Sequence, residues 1–358
     1  RWFGPDDTVQ LSHVRQAGAT GVVTALHHLN DVRIWPEDEI FKRKAVIEDA
    51  GLTWSVVESV IVHEDVKTRT GRFRELIDNY KMSIRNLAKA GVTTICYNFM
   101  AITDWTRTDL AYPMWHGGTA LRFDIVDFCA YDVLVLKRAG AEADHPAERI
   151  EKARARLASM SESDLARLET NLIGWVPARE FIHDRESFRR ALDIYREVST
   201  EGFRENLFSF LREIVPAAEE EGVRMAIHPD DPPFSLFGLP RIVKDADDAA
   251  ALLAACPSLS NGLTLCTAPT ARAIATTCLK WRGALGPTSI SRICATSRRS
   301  PTARSTRPST SRATPTWLPL SQHFSTRRRG AGRQAGRIGK SRCGPITATP
   351  SSTISASR

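Results

Sequence analysis

Residues 268–358 contain no Asp and no Glu, although the chain as a whole holds 41 of them. The same stretch carries 17 of the 49 Lys and Arg. Residues 1–267 therefore set 32 cations against 41 carboxylates, a balance of −9, while the tail stands at +17, and the two sum to the net +8. At the acidic frequency of the front, a tail of this length would hold about 14 carboxylates, since ordinary domains mix charges of both signs. The net charge does not describe one surface. The nucleic-acid or membrane-surface reading that a basic protein invites loses its premise.

Long apolar runs are also missing. None approaches the roughly 18 residues of a membrane span, and the start, Arg1 to Pro5, has no signal-peptide pattern and no initiator Met, which suggests a fragment. The seven Cys (96, 129, 256, 266, 278, 294, 343) are an odd number without the spacing of a small secreted framework, so reduced thiols in a cytoplasmic protein are expected.

Short β-branched runs alternating with helical patterns make up the front. The expected strands are Arg1 to Gly4, Gly21 to His27, Thr53 to Ser59, Val92 to Phe99, Val223 to His228 and Gly262 to Cys266. Between them, stretches such as EDEIFKRKAVIEDAGL and FRENLFSFLREIVPAAEEEGV place apolar residues at helical spacing and stop at Gly51 and Gly222. Repeated βα units of this kind build a parallel sheet. The charged segment near 136–200 is too long for a plain connection and reads as a helical insertion.

Several strands end in a polar or ionisable residue: His27 and His28, Glu58, Asn98, His228 with Asp230 and Asp231, and Cys266. In a (β/α)8 barrel that end of the strands carries the active site. Ile227-His228-Pro229-Asp230-Asp231-Pro232-Pro233 is the strongest local signal, a His and two Asp braced by prolines; its bland reading is a turn-capping His with turn-forming Asp. Cys266 is a soft thiolate candidate that, with His and carboxylate, suits Fe, Mn or Zn, although a lone Cys is more often core. Arg107, in Trp105-Thr106-Arg107-Thr108-Asp109, can pair with a substrate carboxylate or form a surface salt bridge. Cys96, Cys129 and Cys256 have no ligand spacing and read as core.

VRQAGATGVVTALHHL, KRKAVIEDAGLTWSVVESV, ICYNFMAITDWTRTDL, AEEEGVRMAIHPDDPP and NGLTLCT resemble the mannonate dehydratase family, in order, from residue 1 to residue 267. The resemblance implies an α/β fold of the xylose-isomerase-like TIM (β/α)8 type, about six of whose eight strands are present. It implies Fe(II) or Mn(II) and the dehydration of D-mannonate to 2-keto-3-deoxy-D-gluconate in hexuronate catabolism. His228 and Cys266 match two of the family's metal ligands, and His28, Glu58, Asn98, Arg107 and Asp230 are the substrate-side candidates. The remaining His and Asp ligands belong to a THLR-type strand end and an RPDHG loop, and neither is written in residues 268–358.

Both return if the tail is read one frame over. With one base lost after Thr267, each true codon joins the last base of one written codon to the first two of the next. Cys343 to Thr349 then permits Met-Arg-Pro-Asp-His-Gly-His, and Ile290 to Ala295 permits Tyr-Phe-Thr-His-Leu-Arg, in family order. The tail is therefore expected to be out-of-frame translation, a basic and disordered stretch to be set aside from the fold. The expected partner is a sugar acid, with no nucleic acid and no membrane, and homo-oligomerisation left open. Two alternatives remain: a metal-dependent sugar isomerase or epimerase of the same superfamily, and a nucleic-acid binder acting through the tail.

Overall fold

The structure is a computed structural model describing residues 1–29, 33–173, 182, 184–264 and 266. All of these fall in one unit, Arg1–Thr302. The basic tail, with the expected division at Thr267, lies outside the described residues.

Five strands form one parallel sheet: β1 (Gly21–Thr24), β2 (Thr53–Glu58), β3 (Thr94–Tyr97), β6 (Arg224–Ile227) and β7 (Asn261–Leu263), adjacent in chain order. The sixth expected strand, Arg1 to Gly4, is not one. Trp2 N–H reaches the Val23 carbonyl at 2.9 Å, but Phe3 N–H donates to the Asp7 carboxylate at 2.8 Å and Gly4 turns to φ +112° before Pro5. The segment lies along β1 without continuing the ladder.

The helices that cross between strands follow from local chemistry. Glu37–Asp49 opens with Glu37, Asp38 and Glu39, which complement the helix dipole, and ends before Gly51, whose φ of +70° stops it. Thr200–Glu220 begins at Ser199, whose hydroxyl accepts from Gly202 N–H at 3.0 Å, and buries Phe203, Leu207, Phe210, Leu211, Ile214 and Ala218 at helical spacing. Phe210 stacks at 6.0 Å from Tyr97 and 5.6 Å from Phe99, the aromatic heart of the core.

The sheet curls. β3 and β7 are separated by β6, which in a flat sheet puts them about 10 Å apart. Yet Cys96 Sγ on β3 lies 3.2 Å from Thr264 Oγ1, one residue past β7. Side chains on the inner face have converged.

Between β3 and β6 the chain makes an excursion that begins well before residue 136. It opens with an antiparallel hairpin, β4 (Asp109–Pro113) and β5 (Thr119–Arg122), and continues through helices Ile125–Cys129, Ala147–Ala158, Glu162–Ile173 and Arg185–Asp193. Its polar centre is the fully buried Asp132, which accepts from Arg138 Nε and Nη2, both at 2.8 Å.

Candidate active site

Because the strands are parallel, Glu58, Asn98, His228 and Cys266 leave the sheet at the same edge. The ends are pinned: His228 N–H donates to the Tyr97 carbonyl and Thr264 N–H to the Ile227 carbonyl, both at 2.8 Å.

His228 is buried, with Nδ1 2.7 Å from the Pro229 carbonyl oxygen. A proton on Nδ1 makes that bond, which fixes the ring in the way a second hydrogen bond orients a metal-ligating histidine. Cys266, just past β7, is close enough to His228, just past β6, to act on its charge, so the two ligand candidates are neighbours. Burial opposes the imidazolium, but neighbouring Cys266, helped by Glu58 and Asp104, outweighs it and His228 is pushed up to about 9.

Arg1 Nη1 lies 3.2 Å from Glu58 Oε1 and its Nη2 3.4 Å from His27 Nε2. Burial first, then the Arg1 and Arg43 cations, push His27 down to about 4. His28 has a different setting. It is half-exposed and bonded to Glu39 at 2.8 Å, and Glu39 in turn holds Lys42.

Asn98 Nδ2 donates to Asp104 Oδ2 at 2.7 Å, while Asn98 Oδ1 is buried without a partner. Burial raises the Asp104 carboxyl against the opposing pull of His228, Lys67, Arg1 and Arg241. Asp104 is a residue that the sequence patterns missed, because it sits in the loop after β3 and not at a strand end. The Asp-Trp pair just ahead of Arg107 was the available signal.

Arg107 is not a surface residue. Its Nη1 and Nη2 meet Asp231 Oδ1 and Oδ2 at 3.3 and 2.9 Å in a buried two-pronged pair, with the guanidinium 4.8 Å from the Trp105 ring. Asp230 is equally committed: its Oδ2 accepts from Ile242 N–H at 2.6 Å and Val243 N–H at 2.9 Å. Both candidates hold the loops after β3 and β6 in place.

Among the described residues, no group of three or more His, Cys, Asp or Glu is set to hold a metal ion, and no helix is long and apolar enough to cross a membrane. The N and S donors of His228 and Cys266 nevertheless fit a divalent transition metal as two members of a larger set. A small pocket past β2, lined by Trp35, Val60, Val62, His63, Tyr80 and Ser83, does not include this cluster.

The family model described as D-mannonate dehydratase (UxuA) matches residues 1–276. The chain belongs to the D-mannonate dehydratase family. That is a family of metal-dependent hydro-lyases. A mannonate dehydratase of Saccharophagus degradans is 55% identical over 266 residues, 74% of this chain and 67% of that protein. One of Chromohalobacter salexigens is 51% identical over 267 residues, 75% of this chain and 68% of that protein. The crystal structure of the Streptococcus suis mannonate dehydratase superposes with a TM-score of 0.56 at 34% identity, covering 76% of this chain and 64% of that one. The chain thus spans about two thirds of the length of these mannonate dehydratases.

Proposed function

We propose that this chain carries the front portion of a D-mannonate-dehydrating site on a sheet curled toward a (β/α)8 barrel. The observation that carries the reading is that β6 and β7 are paired, with Ile227 beside Leu263 and Thr264 N–H on the Ile227 carbonyl, which brings His228 and Cys266 out at adjacent strand ends. A divalent ion bound there, Fe(II) or Mn(II), would supply Lewis-acid stabilisation of the negative charge that develops beside the substrate carboxylate.

The chain's own residues then divide the work. His228 Nε2 and the Cys266 thiolate are the two ligands. Glu58 and Asn98, at neighbouring strand ends, are assigned to the substrate side. Arg107 and Asp230 serve it at one remove, since their charged ends are spent on Asp231 and on the backbone of Ile242 and Val243. His28, tied to Glu39 at the surface, is assigned no contact with substrate.

Dehydration needs a base for the proton next to the carboxylate and an acid for the departing hydroxyl. The motifs that supply the missing ligands in the resemblance are recovered from residues 268–358 only in the neighbouring frame. The chain as written is therefore expected to give no keto-deoxy acid from D-mannonate with Mn(II) or Fe(II), and insertion of one base after the Thr267 codon is expected to restore it. Turnover by the chain as written overturns the frame reading. A simple epimer or isomer from the restored chain overturns the dehydratase reading.

A further inference from the structure

Around Asp104, two oxygen acceptors are left open where the strands end. Asn98 commits one N–H of Nδ2 to Asp104 Oδ2. What remains is Asn98 Oδ1, buried and without a partner, and the second Asp104 carboxylate oxygen, for which no hydrogen bond is formed among the described residues. Neither is free to swing. The preceding Ile102 N–H is held by Glu64 Oε2 at 3.3 Å, and the Thr103 carbonyl by both terminal nitrogens of Arg241 at 3.1 Å. Two of the nearby cations bond other groups: Lys67 bonds Glu64 Oε1 at 2.6 Å and the Met100 carbonyl at 2.7 Å, and Arg241 bonds Thr103 through its terminal nitrogens, its Nε being buried without a partner.

A fixed pair of oxygens with a negative charge accepts hydrogen bonds from hydroxyls and repels a carboxylate. We infer that Asn98 and Asp104 form the hydroxyl-binding end of the substrate site, taking two hydroxyls of the polyol chain and setting its direction, with the carboxylate end turned toward His228 and Cys266. This rests on the reading of the cleft as a sugar-acid site. Asp104 is thus a substrate-positioning group. A site built to hydrogen-bond hydroxyls discriminates strongly against ligands that lack them.

The test titrates the full chain with D-mannonate and, separately, with glycolate, which keeps the carboxylate and its neighbouring hydroxyl but has no polyol chain, following both by saturation-transfer NMR. Asp104→Asn is expected to weaken D-mannonate about tenfold to a hundredfold and to leave glycolate within twofold. Unchanged D-mannonate affinity, or an equal loss for both ligands, overturns the assignment while the sugar-acid reading stands. If the unsubstituted chain binds neither ligand, the sugar-acid reading itself falls. Should Asp104→Asn lose its far-UV circular dichroism, Asn98→Ala is read in its place, with the same selective loss expected.

Discussion

Two sets of buried polar groups lie side by side where the strands end, and they differ in how fully they are satisfied. In the first, Glu64 accepts from Lys67, Tyr195 Oη and Ile102 N–H; Arg107 grips Asp231 with two nitrogens; and Asp230 takes two backbone amides. In the second, Asn98 Oδ1 and His27 Nδ1 are buried with no partner. Native interiors leave few such groups unpaired, and each exception calls for an explanation. The satisfied set fixes the loops; the unsatisfied set keeps hydrogen-bonding capacity in reserve.

The comparison breaks most sharply at Arg107. Replacing it with Met leaves Asp231 buried without its two-pronged partner, and stranding one member of a buried pair costs about 3–5 kcal/mol. Urea denaturation of Arg107→Met should show a loss of that size. A loss under about 1 kcal/mol would place Arg107 with the ligand-waiting set, as the substrate-carboxylate partner its sequence context allowed. Cys266→Ser addresses the other side. It removes a soft donor from beside His228, and Mn(II) affinity measured by calorimetry should fall at least about tenfold, about 1.4 kcal/mol, with little change in the fold. Unchanged affinity would remove Cys266 from the ligand set.

His27 gives the comparison a pH dependence. Its folded value is pushed down to about 4, against the ordinary 6.5, by burial and by Arg1 and Arg43. Between those values the unfolded chain binds the proton and the folded chain does not, so stability falls as pH drops from 6.5 toward 4. The ring is partly solvent-exposed, and screening reduces the effect to about 1 kcal/mol. His27→Gln should flatten the stability profile across that window; an unchanged profile would show that His27 protonates freely in the folded state.

Much of this was legible in sequence, for physical reasons that differ by element. The parallel strands were visible because βα units alternate β-branched runs with amphipathic helices, and the stops at Gly51 and Gly222 show as φ of +70° and +64°. His228 and Cys266 were legible as strand-end residues. Three features were not. The start at Arg1 looked like a strand because Trp2 and Phe3 make a short apolar run, but the Asp7 bond to Phe3 N–H depends on a turn that such a run does not register. The β4–β5 hairpin was passed over, although Gly117 and Gly118 after Trp115 were a turn signal, with Gly117 at φ +84°. Asp104 was missed because its place is set by Asn98, Glu64 and Arg241, contacts between loops that no spacing rule encodes. The tail was read from codon logic and from the absence of acids, and curated relatives match over 266 and 267 residues, close to the length of the acid-bearing front.

The smallest expected effect sits farthest from both polar sets. Trp115, at the tip of the β4–β5 hairpin, is 89% exposed and touches His116 edge-on at 5.2 Å. The hairpin is closed without it, since Met114 N–H bonds the Gly118 carbonyl at 2.8 Å and Gly117 supplies the left-handed turn. An indole that buries almost nothing contributes almost nothing to folding, and surface changes of this kind stay within about 0.5 kcal/mol. Trp115→Ser should therefore leave the denaturation midpoint unmoved and the affinity for D-mannonate unchanged. A larger loss of stability that grows with protein concentration would show that the hairpin tip is covered by a second copy of the chain, and would add an interface to the two polar sets as a third determinant of the site's shape.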